Sequence, residues 1–112
     1  MPTYVEVSAR LLKDAADFFY TLGEQNPSLM DQMQDNIDVF RQMAALLVQN
    51  PQEELGDTPV SELASRLLKD SATFFTTLAH QNPPIKDQML QNAQVYNQMG
   101  DLLFQNPLGS LE

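Results

Sequence analysis

The sequence predicts an all-α protein: an antiparallel four-helix bundle built from two tandem, homologous helical hairpins with a pseudo-twofold arrangement. Two observations carry this prediction. The tripeptide Gln-Asn-Pro occurs four times, with its asparagines at positions 26, 50, 82 and 106. Residues 6–51 also align without gaps with residues 62–107 at an offset of 56, and 26 of the 46 aligned pairs are identical. Such an internal repeat indicates one supersecondary unit written twice.

The Asn-Pro steps divide the chain. Proline disfavours helical geometry in the residue before it and suits the first position of a helix, and asparagine is a favourable N-cap. Asn26 and Asn82 therefore predict tight turns between antiparallel neighbours, whereas Asn50 opens a linker over 51–58. The predicted helices cover residues 3–25, 27–49, 59–81 and 83–105, with a capping box at the first from Thr3 to Glu6.

These elements are expected to form one domain, residues 1–108, in which hairpin repeat 1 covers 3–50 and hairpin repeat 2 covers 59–106. Residues 109–112 are interpreted as the remnant of an expression tag and are left out of the predicted fold. Apolar side chains recur at three- and four-residue spacing in each helix, as expected of helices that bury one face. The alternative is a pair of open hairpins that dimerise or exchange with another copy.

Composition narrows the function classes. The chain of 112 residues has a net charge of −9 and contains no cysteine. The lack of cysteine excludes disulfides and predicts a reducing, cytoplasmic setting. The negative charge disfavours direct binding to nucleic acid or to an anionic membrane surface. Neither a secretion signal nor an apolar run of about 20 residues is present in the sequence. A charged partner is therefore expected to be basic.

The sequence predicts no enzymatic activity, no cofactor and no metal. It contains no phosphate-binding glycine loop, no nucleophile motif and no zinc-ligand spacing. The Glu-x-x-His pairs of di-iron bundles are also missing. His80, the sole histidine, is expected to lie at a helix C-terminus, where the helix dipole favours it.

The second and fourth predicted helices carry the candidate interaction residues. Asn36 and Asn92 lie near the centre of apolar faces, where they either fix the packing register or anchor a ligand in a groove. Methionine either fills core gaps or provides an adaptable binding surface. Further aliphatic residues make the apolar face of each helix wider than packing against one neighbour requires, which indicates a second packing partner. The candidates are Met33, Asn36, Val39, Phe40, Met43, Leu46, Met89, Asn92, Val95, Tyr96, Met99 and Leu102.

Charged residues suggest two further features. Asp31, Asp35 and Asp38 form a row that is either a solvated face or a docking surface for a basic partner. Arg10–Asp14 and its counterpart Arg66–Asp70 are spaced for surface ion pairs.

One resemblance is local and compositional. The segments Asn26-Pro27-Ser28-Leu29-Met30-Asp31-Gln32-Met33 and Arg41-Gln42-Met43 resemble the Asn-Pro- and Gln-Met-rich helical repeats of ubiquilins and of co-chaperone organising proteins. It covers only the second and fourth helices, which are much longer here. The resemblance implies a groove that binds hydrophobic helices.

The functional expectation is a non-enzymatic protein–protein interaction module that binds a partner helix or subunit through Met- and Phe-rich apolar faces. A homodimer is one form that this interaction could take. Two alternatives stay open at this point. One is a carrier of a small hydrophobic ligand between the helices, and the other is an acidic regulator that occupies a basic, nucleic-acid-binding protein.

Overall fold

The structure is a computed structural model that describes residues 2–111, apart from the side chains of Leu29 and Gln32. Its principal elements are four α-helices: α1 (Tyr4–Gln25), α2 (Pro27–Gln49), α3 (Val60–Gln81) and α4 (Lys86–Gln105). They pack into a body of 37 × 29 × 23 Å. The predicted all-helical, four-helix architecture is thereby confirmed, and the predicted helix ends agree within one residue except at the start of α4.

Asparagine caps the hairpins differently from the prediction. The side-chain amides of Asn26 and Asn82 donate to the carbonyls of Leu22 (3.2 Å) and Leu78 (3.0 Å), one turn earlier. Neither asparagine makes a side-chain N-cap hydrogen bond to the helix that follows. The final carbonyls of a helix lack intrahelical partners, so each amide completes the helix that ends rather than the one that begins.

Two consecutive prolines delay the start of α4. Pro83–Ile85 forms a turn of 3₁₀ helix, and α4 begins at Lys86 rather than at the predicted residue 83. Neither proline has a backbone N–H to donate. The first backbone bond in this segment is therefore made by Ile85, whose N–H donates to the carbonyl of Asn82 at 3.0 Å.

The linker contains a β-ribbon that the sequence analysis did not predict. Strands β1 (Glu54–Leu55) and β2 (Thr58–Pro59) pair antiparallel, with Leu55 opposite Thr58. The two-residue turn between them begins at Gly56, whose φ of 66° lies in the left-handed region that glycine adopts freely. The ribbon leads into α3, since the N–H of Val60 donates to the carbonyl of Glu53 at 2.7 Å.

The tail of the chain, which the predicted fold left out as residues 109–112, pairs with the beginning of the chain through residues 109–111. The N–H of Tyr4 donates to the carbonyl of Gly109 at 3.0 Å, and the N–H of Leu111 donates to that of Pro2 at 2.9 Å. Gly109 lies so close to the Tyr4 ring that an added Cβ would approach a ring carbon to 2.5 Å. Glu112, the last residue of that expectation, lies outside the described residues.

Each hairpin is a closely packed helix pair, α1 with α2 and α3 with α4. The hairpins meet through α1 with α3, α1 with α4 and α2 with α3. At this junction six aromatic rings form a continuous edge-to-face cluster: Phe18, Phe19, Phe40, Phe74, Phe75 and Tyr96. Its central contacts cross between hairpins, with centroid distances of 5.5 Å for Phe18–Phe75 and 5.0 Å for Phe19–Phe74. The cluster adds directional contacts to the apolar burial that joins the two pairs.

Candidate interaction clefts

A cleft opens between the hairpins beside the aromatic cluster. This first cleft has a volume of about 230 Å³ and receives side chains from three helices. Phe19 comes from α1; Met33, Asn36 and Phe40 come from α2; and Leu67, Asp70, Ser71 and Phe74 come from α3. Its walls are therefore apolar and aromatic, with an exposed Asp70 and an exposed Asn36 as polar groups.

A second cleft of about 240 Å³ lies on the other side of the cluster. It is lined by Leu11, Asp14 and Phe18 of α1, Phe75 of α3, and Asn92 and Tyr96 of α4. Each of these six residues is the counterpart, at the offset of 56, of a residue that lines the first cleft. Both clefts thus combine one aspartate, one asparagine, one leucine and three aromatic rings.

The clefts differ in how one helix carbonyl is satisfied. In the second cleft the Tyr96 hydroxyl donates to the carbonyl of Leu11 at 2.7 Å. In the first cleft the corresponding residue is Phe40, and the Ser71 hydroxyl donates to the equivalent carbonyl of Leu67 at 2.9 Å. Burial away from water, and secondarily the negative charge of Asp14, raise the pKa of Tyr96. The hydroxyl therefore stays protonated and engaged with the backbone.

Five of the twelve candidate interaction residues lie in the core. Phe40, Met43, Met89, Tyr96 and Met99 are each no more than 8% exposed. They fill the space between helices, as methionine and aromatic residues commonly do. Met43, Met89 and Met99 are therefore out of a partner's reach in this conformation, whereas Phe40 and Tyr96 are reachable only through the clefts that they line.

The other seven candidates reach the surface. Val39 is 43% exposed and Val95 is 47% exposed, at equivalent positions of α2 and α4. Leu46, Leu102, Asn92 and Met33 are half-buried, and Asn36 is exposed. We call Asn36, Val39 and Leu46 the α2 stripe, and Asn92, Val95 and Leu102 the α4 stripe. Each stripe begins at the asparagine of a cleft and continues along its helix at three- and seven-residue spacing.

The charged candidates lie on the surface. Asp31, Asp35 and Asp38 are all exposed on α2, and the Asp38 carboxylate accepts a hydrogen bond from Gln34 at 3.1 Å. His80 is exposed in the last turn of α3.

One predicted ion pair has a different partner. Arg66 contacts Glu62 at 2.7 Å, one turn before it, instead of the expected Asp70. Within residues 2–111, neither Asp14 nor Asp70 forms an ion pair. Their i,i+4 spacing from arginine predicted surface ion pairs, so these aspartates were not recognised from the sequence as cleft residues. The signal available was the pattern Leu11, Asp14 and Phe18, which recurs unchanged 56 residues later at one helical face.

The described part of the chain contains no group of three or more histidine or carboxylate side chains placed to hold a metal ion. None of its helices combines the length and the apolar character needed to cross a bilayer. Comparison of the chain with protein-family models, with curated proteins and with solved structures finds no match.

Proposed function

We propose that this chain is a non-enzymatic protein-interaction module made of two homologous hairpins in an approximate twofold arrangement. Each hairpin presents one apolar stripe beside one cleft to a partner helix or subunit. The observation that carries the proposal is that Val39 and Val95 are similarly exposed and each lies three residues after the asparagine of a cleft.

The differences between the hairpins support this assignment. On the exposed far face of α2, Asp35, Asp38 and Arg41 are replaced in α4 by Gln91, Gln94 and Asn97. Along the stripes, by contrast, every residue is the same in both hairpins. The stripes thus keep their residues even where the neighbouring exposed charge differs between the hairpins, as at Asp35 and Gln91. A half-exposed aliphatic row next to a cleft suits an amphipathic helix laid along it.

Charge supports a basic partner. The net charge of −9 and the exposed Asp31, Asp35 and Asp38 would speed the approach of a positively charged protein without adding much affinity. The size of the clefts favours protein side chains over a lipid-like ligand, because pockets for small molecules usually enclose about 300–1,000 Å³.

Affinity capture from the source cells with matched variants tests the proposal. Val39→Ser/Val95→Ser removes both apolar stripes at exposed positions, where folding is least affected. Val48→Ser/Leu108→Ser is the control, because these residues are 57% and 67% exposed and lie outside the stripes and the two clefts. We expect the wild type and the control to retain the same partner and the stripe variant to lose it.

A mass measurement in solution covers the case in which the partner is a second copy. A homodimer that dissociates in the stripe variant but not in the control supports the proposal. Equal capture by all three proteins, or a monomer that binds neither a partner nor a dye for exposed apolar surface, contradicts it.

A further inference from the structure

We propose that each cleft accepts one arginine side chain of a helical partner, so that one chain offers two arginine sites. This inference rests on the proposed function and names the partner chemistry that the clefts recognise.

The cleft walls suit the shape of an arginine side chain. In the first cleft, the half-buried Phe74 and Leu67 and the buried Phe19 provide aromatic and aliphatic surface. The methylene stem of arginine packs on such surface, and its planar guanidinium stacks on aromatic faces. The volume of about 230 Å³ is on the scale of one long side chain rather than of a cofactor.

The polar groups of the cleft are those that a guanidinium needs. The neighbouring basic residues are already engaged, since Arg66 contacts Glu62 at 2.7 Å and Lys69 contacts Asp101 at 2.5 Å. Within residues 2–111, the carboxylate of Asp70 pairs with no cation. Carboxylates bind guanidinium through two parallel hydrogen bonds, a geometry that the compact ammonium of lysine does not match. The amide oxygen of Asn36 supplies a further acceptor.

The second cleft repeats this chemistry. Asp14, Asn92 and Phe18 stand where Asp70, Asn36 and Phe74 stand in the first. Arg10 and Lys13, the counterparts of Arg66 and Lys69, form no ion pair within residues 2–111. A further difference is the Tyr96 hydroxyl, which is directed to the Leu11 carbonyl at 2.7 Å. It therefore adds no free donor that would repel a guanidinium. Two sites are therefore expected for each chain, and the positive charges of Arg10 and Lys13 should make the second the weaker one.

The test uses n-butylguanidinium as the probe and n-butylurea as its neutral isostere, followed by backbone amide shifts in NMR spectra. We expect saturable shifts with butylguanidinium at both clefts, and shifts at least about tenfold smaller at the same concentration of butylurea. Asp70→Asn should abolish saturation at the first cleft and leave the second unchanged, and Asp14→Asn should do the reverse. Asp57→Asn removes the same charge from the linker turn, outside both clefts, and should change neither.

Three results would overturn the inference: shifts that do not saturate, equal responses to the urea, or a first cleft that still saturates in Asp70→Asn. All three aspartates are exposed, and helical circular dichroism verifies that each variant is folded. A partner lost by the stripe variant together with no guanidinium binding would leave the interaction module standing and remove only the arginine sites. Guanidinium binding without a partner that depends on the stripes would leave the two guanidinium sites standing and remove the interaction module.

Discussion

Ser8 is buried in α1, and its hydroxyl has no hydrogen-bond partner among the described residues. A buried hydroxyl without a partner destabilises the fold by about 1–3 kcal/mol. Its counterpart in the second hairpin is Ala64, which is also fully buried. The equivalent position therefore tolerates a methyl group without a polar atom.

We expect Ser8→Ala to raise the free energy of unfolding by about 1 kcal/mol, because the substitution removes an unsatisfied polar atom and little volume. Urea denaturation followed by circular dichroism measures the change. The reverse substitution, Ala64→Ser, is the matched control and should lower stability. A loss of stability in Ser8→Ala would show that the hydroxyl has a partner in solution.

The two clefts exchange the position of one hydroxyl. The second cleft has Tyr96 where the first has Phe40, and α1 has Ala15 where α3 has Ser71. Each pair holds one hydroxyl that reaches a helix carbonyl. We expect Tyr96→Phe to cost about 1 kcal/mol, and Ala15→Ser in that background to restore part of it. Denaturation of the two single variants and the double variant gives the coupling. Additive losses in the double variant would refute this compensation.

The contribution of the Tyr96 hydroxyl to stability should decrease at alkaline pH. Burial and the charge of Asp14 raise the pKa of folded Tyr96, whereas the unfolded chain ionises near its ordinary value of about 10. The stabilisation from neutral Tyr96 is therefore complete below about pH 10 and is lost as pH rises above it, because only the unfolded state readily releases the proton. The difference in unfolding free energy between wild type and Tyr96→Phe should shrink from pH 9 to 11. A constant difference over this range would show that the hydroxyl ionises equally in both states.

The positions of the helices follow from local chemistry that can be read in the sequence. Asn26 and Asn82 mark the hairpin turns because proline after each one stops the preceding helix. The capping role of each asparagine was not predictable in the same way. Its amide can serve either helix end, and the choice depends on backbone angles at the turn. The start of α4 was mispredicted because Pro84 removes a second N–H.

The β-ribbon in the linker depends on Gly56. Its φ of 66° is strained for residues with a side chain, and an added Cβ would meet no atom within 4 Å. We expect Gly56→Ala to lower the free energy of unfolding by about 1–2 kcal/mol through backbone strain alone. Gly56→Asn should lose less, since asparagine tolerates this conformation. Urea denaturation compares the two, and equal stability of the alanine variant and the wild type would contradict the observed turn.

Sequence periodicity predicted which helix faces turn inward but not how the two hairpins meet. Phe40 and Tyr96 were placed on candidate binding faces, yet both are buried against rings of the opposite hairpin. Asp14 and Asp70 were assigned to local ion pairs, yet they line clefts between hairpins. Periodicity describes one helix at a time. Contacts between α1 and α3 depend on the packing of both pairs, and no single-helix pattern contains that information.

The two ends of the chain are joined in the same way as the two hairpins. Tyr4 donates to the carbonyl of Gly109, and its counterpart Val60 donates to that of Glu53. Thr3 pairs with Ser110 as Pro59 pairs with Glu54. The tail is therefore the counterpart of β1, and the beginning of the chain is the counterpart of β2. The fold is closed from end to end by two equivalent ribbons, of which only one has a covalent turn.

A circular permutant tests this closure. Gly-Asp, the turn found at residues 56 and 57, would connect Leu111 to Pro2, and the chain would open between Gly56 and Asp57. The N–H of Leu111 lies 2.9 Å from the Pro2 carbonyl, so a two-residue turn spans the gap without moving either strand. Permutation is best tolerated where chain ends are close and the new ends are exposed, and Gly56 and Asp57 are both exposed.

We expect cooperative unfolding with the wild-type helical signal and a stability within about 2 kcal/mol of the parent. A second permutant with the same joint but opened between Asp38 and Val39, inside α2, should be much less stable because it interrupts a packed helix. Loss of cooperative unfolding in the first permutant, or equal stability of the two, would show that the terminal ribbon does not close the fold in solution.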